Sequence, residues 1–210
     1  MHRLIAFEGV DGVGKTLQAE RLGERLGERG ETVSLVREPG GTELGEQLRR
    51  VLLRSRGETE RDALIEAMLF SASRRALLLE KIRPARERGE LVLMDRSFLS
   101  TWVYQGLVGG VPLEFLEDLS RRVMAEAWPD RILLLDLEAS SAAERRKQRA
   151  SPEDGFEDRG PLYLQAIVRA FRELARQYPE LIRVVNAAGT KDQVEGRCWE
   201  AVRDLFPREP

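Results

Sequence analysis

Four short runs, Leu4-Ile5-Ala6-Phe7, Leu91-Val92-Leu93-Met94, Ile132-Leu133-Leu134-Leu135 and Leu181-Ile182-Arg183-Val184-Val185, are apolar almost without interruption. They do not alternate with polar positions, so they read as strands buried on both faces. Thr32-Val33-Ser34-Leu35-Val36 makes a fifth. Between them lie helical patterns at roughly 14–29, 43–54, 60–88, 98–127 with a break near Gly109-Gly110-Val111-Pro112, 139–149, 160–178 and 190–206. Strand and helix alternate, which predicts an α/β fold: a five-stranded parallel sheet with helices on both faces. No repeat, low-complexity tract or linker divides the chain, and its 210 residues suffice to bury such a sheet, so residues 1–210 are expected to form a single domain. The most irregular stretch runs from Ala150 to Gly160, where Pro152, Gly155 and Gly160 interrupt two charged helices. It reads either as a functional loop or as a solvated connector.

Charge narrows the function. With 34 basic and 36 acidic residues the chain has no global field to attract nucleic acid or an anionic membrane, so any anion must be captured locally. Cys198 has no partner for an internal disulfide, which suits a reducing compartment, and the single histidine, His2, lies in no motif, so neither a histidine-based triad nor a zinc cluster is expected. The first residues are apolar for too short a stretch to act as a signal peptide, and no later stretch approaches a membrane span. The expected location is the cytoplasm.

Directly after the first strand, Gly9-Val10-Asp11-Gly12-Val13-Gly14-Lys15-Thr16 fits the pattern G-x-x-x-x-G-K-[ST] at the start of a helix. Its glycines let successive N–H groups and the positive end of the helix face phosphates; Lys15 reaches the outer phosphates and the Thr16 hydroxyl ligates magnesium. Asp95 and Asp136 each end an apolar run, where an acid assists the metal in P-loop proteins. Arg96 follows Asp95 and suits a phosphate, whereas Asp136 also reads as a plain strand-end acid. Arg37-Glu38-Pro39-Gly40-Gly41-Thr42 closes the second strand at the sheet edge where doubly wound proteins bind ligands. Phe70 and Arg74 form an i, i+4 pair able to stack on a base and hydrogen-bond its edge. Taken alone, they read more simply as a core residue and a solvated charge.

Four segments then converge. Phe7 to Thr16, Arg37 to Thr42, Leu69-Phe70-Ser71-Ala72-Ser73-Arg74 and Asp95-Arg96-Ser97-Phe98-Leu99-Ser100-Thr101-Trp102-Val103-Tyr104-Gln105-Gly106 resemble bacterial thymidylate kinases over almost the whole chain. The resemblance implies a P-loop NTPase fold and the reaction ATP + dTMP to ADP + dTDP with Mg2+, in a homodimer. It implies that Phe70 stacks on thymine, Arg74 reads its exocyclic oxygen, and Ser100, Thr101 and Gln105 border the base. Tyr104 would lie beneath the deoxyribose, Arg96 would hold the acceptor phosphate, and Asp11 would meet the sugar 3′-hydroxyl or a magnesium-bound water. Arg37, Glu38 and Pro39 belong to the same substrate side. Gly12 stands where some members carry arginine, so a basic lid at about 145–160 would supply the catalytic cation, with Arg145 on adenine and Arg149 on the phosphates. Many relatives follow the lid with Asp-Arg-Phe-Glu; here the order is Gly155-Phe156-Glu157-Asp158-Arg159, which leaves Glu157, Asp158 and Arg159 without assigned roles. The loop Asn186-Ala187-Ala188-Gly189-Thr190 follows the last strand, where P-loop kinases place adenine, and lacks the Asn-Lys-x-Asp pattern that reads guanine, so ATP is the expected donor. A kinase for another deoxynucleotide or nucleoside, or a nucleotide-dependent switch, would share part of this pattern.

Overall fold

A computed structural model describes residues 3–53, 61–148 and 159–206. Strands β1 (Leu4–Glu8), β2 (Val33–Arg37), β3 (Leu91–Asp95), β4 (Arg131–Asp136) and β5 (Ile182–Asn186) form one parallel sheet in the order β2-β3-β1-β4-β5. The sequence pattern follows from this order. β1, β3 and β4 fill the middle and are buried on both faces, hence their unbroken apolar runs. β2 and β5 are the edges, with Leu35 and Val184 half-exposed, hence the mixed residues in both.

Helices α1 (Lys15–Glu28), α2 (Glu43–Leu53), α3 (Ala63–Leu77), α4 (Arg83–Glu87), α5 (Phe98–Thr101), α6 (Leu113–Met124), α7 (Ala139–Gln148), α8 (Pro161–Gln177) and α9 (Lys191–Glu200) surround the sheet. The long helix expected at 60–88 is α3 continued through a π-helical stretch, Leu78–Ile82, into α4. A second π-helical stretch, Trp102–Leu107, extends α5 up to the predicted glycine break. The last helix stops sooner than its pattern, at Glu200, before a short 3-10 turn at Arg203–Leu205. α1 turns Ala19, Leu22 and Leu26 inward, and α8 turns in Ile167, Phe171 and Leu174. Each of these Leu, Ile and Phe side chains contributes about 1.5–3 kcal/mol relative to exposure. Phe98 stacks on Trp128 with ring centroids 4.2 Å apart. Cys198 is fully buried in the same core, and burial pushes its thiol up to about 12.

In a parallel sheet all carboxyl ends lie along one edge. Here Arg37, Asp95 and Phe7 are in register, as are Asp136 and Asn186, so β1 to β5 end respectively in Glu8, Arg37, Asp95, Asp136 and Asn186 on that edge. The polar residues that the sequence scatters over nearly the whole chain therefore meet there.

Candidate active site

The loop from Gly9 to Thr16 joins β1 to α1. Two of its glycines are demanded by close packing as well as by φ: a Cβ on Gly9 would lie 2.5 Å from the Leu135 carbonyl oxygen, and one on Gly12 would lie 2.5 Å from that of Ala142 in α7. The Val10 and Val13 side chains are buried in the core, which leaves their backbone to face a ligand. Lys15 Nζ donates to Gly9 O at 3.0 Å, Val10 O at 2.9 Å and Asp11 Oδ1 at 3.2 Å. The Thr16 hydroxyl donates to Asp95. Asp11 also accepts from Arg96. Burial raises the Asp11 carboxyl, but Arg96 and Lys15 outweigh it and hold it well below the usual carboxylate range.

Arg96 occupies the left-handed region at φ 72°, a conformation costing of order 1–3 kcal/mol in a non-glycine residue. Buried Glu8 stabilises the turn that contains it. Glu8 Oε1 accepts from Ser97 N at 2.7 Å, Ser97 Oγ at 2.9 Å and Ser100 N at 3.1 Å, and Oε2 accepts from Ser100 Oγ at 2.6 Å. Arg96 Nη1 in turn donates to Ser100 Oγ at 3.0 Å and Gly9 O at 3.3 Å.

Beside the loop opens a cleft of about 260 Å³. It is lined by Asp11, Gly12, Gly14, Lys15, Thr16 and Asp95, and by all ten residues expected on the substrate side: Arg37, Glu38, Pro39, Phe70, Arg74, Arg96, Ser100, Thr101, Tyr104 and Gln105. Arg74 is no solvated charge. It is 1% exposed and donates through Nε to Glu38 Oε2 at 2.7 Å and through Nη2 to Thr101 Oγ1 at 3.1 Å. Its Nη1, like Glu38 Oε1, is buried without a hydrogen-bond partner among the described residues. Such orphaned groups cost free energy until a ligand satisfies them. Burial lifts the Glu38 carboxyl to about 7 even against the pull of Arg74. Gln105 Nε2 donates to buried Glu66 at 3.0 Å, and the Arg96 guanidinium lies 5.9 Å from the centre of the Tyr104 ring. Arg37 is more peripheral: its side chain is 57% exposed and pairs with Glu46 at 2.9 Å.

The remaining candidates divide. Arg145 donates to the Ala187 and Gly189 carbonyls at 3.0 and 3.4 Å, so it lies against the loop containing Ala188, away from the cleft lining. Arg149, Glu157 and Asp158, with most of the expected lid, lie outside the described residues. Asp136 is engaged by Arg172 of α8 at 2.9 Å, which favours the strand-end reading. Sequence reasoning missed Glu8, Glu66 and Arg49; Arg49 lines the cleft and donates to Pro39 O at 2.9 Å. Among the described residues no group of three or more His, Cys, Asp or Glu could hold a metal. The Thr16 hydroxyl beside the Asp95 carboxylate nevertheless suits magnesium, a hard cation that binds through one or two protein oxygens and completes its shell with water and phosphate.

Comparison with known proteins identifies the family. The thymidylate kinase family model matches residues 7–197. A thymidylate kinase of Symbiobacterium thermophilum is 37% identical over 99% of this chain and 96% of its own length. One of Rhizorhabdus wittichii is 40% identical over 98% and 99%. The crystal structure of thymidylate kinase from Ehrlichia chaffeensis superposes with a TM-score of 0.73 at 28% identity, covering 96% of this chain and 98% of that one. The chain belongs to the thymidylate kinase family.

Proposed function

We propose that the chain phosphorylates dTMP to dTDP, with ATP on the phosphate loop and the nucleoside monophosphate in the adjoining cleft. The observation that carries this reading is the buried Glu38–Arg74 pair, which lines the cleft with Phe70 next to the loop and leaves one guanidinium nitrogen without a partner among the described residues. A buried donor selects a base with an oxygen at that point, and an aromatic plane beside it supports the ring.

The acceptor phosphate is already ionised at neutral pH, so the chain needs no strong general base; positioning and charge neutralisation suffice. Lys15 and Arg96 now spend their hydrogen bonds on loop carbonyls and Asp11, and incoming phosphate oxygens would replace those acceptors. Thr16 and Asp95 would hold Mg2+, which when bound offsets charge on the phosphates. Asp11 would meet the sugar 3′-hydroxyl or a water of that ion. Arg145 and Ala188 would border adenine, and Arg149 would add a cation as the phosphoryl group transfers. We place the protein in the cytoplasm, as one domain per chain and two chains per molecule. Leu44 and Val51 of α2, Ile65 and Met68 of α3 and Phe115 of α6 are each about half exposed on adjoining helices, an apolar face that a second copy would cover.

The test is a panel of acceptors, dTMP, dUMP, dCMP and thymidine, assayed with ATP for ADP release. Turnover should be fastest with dTMP and absent without an acceptor. Preference for another acceptor would move the protein to a neighbouring kinase specificity, and ADP release without any acceptor would point to a switch.

A further inference from the structure

α3 carries Glu66, Phe70 and Arg74 at intervals of four residues, so the three share one stripe of the helix. Thr101 and Gln105, also four apart, face that stripe from α5 and its π-helical extension. Two buried hydrogen bonds tie the elements together: Arg74 Nη2 donates to Thr101 Oγ1 at 3.1 Å, and Gln105 Nε2 donates to Glu66 Oε2 at 3.0 Å. Phe70 lies between the ties along the helix and lines the cleft.

Glu66 is buried and does not line the cleft, and its hydrogen bond with Gln105 links it to a residue that does. A carboxylate accepts and has no hydrogen to give. It therefore decides which way round the Gln105 amide stands: nitrogen toward Glu66, with the oxygen left for the cleft. Arg74, whose Nη1 has no partner among the described residues, lines the same cleft. A donor near an acceptor matches a base edge with a carbonyl oxygen beside a ring N–H, as in thymine and uracil. It mismatches cytosine, which offers an amino group beside an unprotonated ring nitrogen. We infer that Glu66 is a positioning residue for base selection, fixing the Gln105 amide so that the cleft takes a keto pyrimidine over an amino pyrimidine. This rests on the dTMP reading of the cleft.

The experiment compares kcat/KM for dTMP and for dCMP in wild type, Glu66→Gln and Glu66→Asp, with the KM for ATP as control and thermal melting as a check on folding. In E66Q a neutral amide both donates and accepts, so Gln105 is free to turn over. The dTMP value should fall about tenfold, the scale of one hydrogen bond, while dCMP holds or rises and the KM for ATP stays put. E66D keeps an acceptor-only group and should hold the dTMP-over-dCMP ratio within about threefold of wild type. A role in packing alone predicts the reverse order, because glutamine is the closer isostere of glutamate. That reverse order, an unmoved ratio in E66Q, or a larger fall in E66D overturns the inference, the last even if E66Q fails to fold. Wild-type protein that does not turn over dTMP would overturn the proposed function and this inference with it, an outcome distinct from normal dTMP activity with an unmoved ratio.

Discussion

Burial raises the Glu38 carboxyl from its ordinary 4.5 to about 7; Arg74 opposes the rise and Glu8 adds to it. The folded carboxyl thus binds its proton more tightly than the unfolded one. Between pH 4.5 and about 7 the folded state holds the extra proton, so this group's contribution is fully present below the lower value and is lost as pH rises through the upper one. The shift corresponds to about 3 kcal/mol, as an order of magnitude. Urea unfolding of the unliganded protein at pH 5 and pH 8 should show that loss in wild type, and Glu38→Gln should remove most of it; equal pH slopes in the two proteins would contradict the assignment. Lys15 makes a different prediction, because its ammonium neutralises phosphate charge present only with nucleotide bound. Lys15→Ala should lower kcat by about a hundredfold or more while the melting transition stays cooperative. More than about a tenth of wild-type kcat would remove Lys15 from the reaction.

Elements differ in how far they could be read from sequence. β1, β3 and β4 were legible because burial on both faces leaves an unbroken apolar run, and the loop from Gly9 to Thr16 because each requirement on it is local. Both π-helical stretches escaped, since widening a turn from i+4 to i+5 changes hydrogen bonding without changing the apolar period enough to notice. Glu8 and Glu66 escaped for another reason. A buried carboxylate looks like a surface charge until its partners are known, and these lie at Ser97 and Gln105, 89 and 39 residues away. Gly12 shows the same limit from the opposite side. The absence of arginine there was plain, but the Ala142 carbonyl of α7, which leaves no room for a Cβ at Gly12, required the fold. A methyl group at this position meets backbone 2.5 Å away at φ +86°, so Gly12→Ala should cost of order 2–3 kcal/mol and lower Tm by roughly 5 °C or more in calorimetry. An unchanged Tm would mean that α7 yields freely.

At the scale of the molecule, the apolar face on α2, α3 and α6 predicts a particle of twice the chain mass in sedimentation. Ile65→Glu with Met68→Glu should yield the single-chain mass without unfolding it, because both residues are about half exposed within the chain. A wild-type particle of single-chain mass would refute that face as a contact between copies. Cys198 has a practical consequence for such work. It is the sole thiol of the chain, fully buried, and its pKa of about 12 leaves almost no thiolate at neutral pH. Maleimide dyes should therefore pass over the native protein, and a cysteine introduced at an exposed site on α7 would be labelled selectively. Energy transfer between that dye and a fluorescent ATP analogue would then report the distance from α7 to nucleotide bound on the phosphate loop.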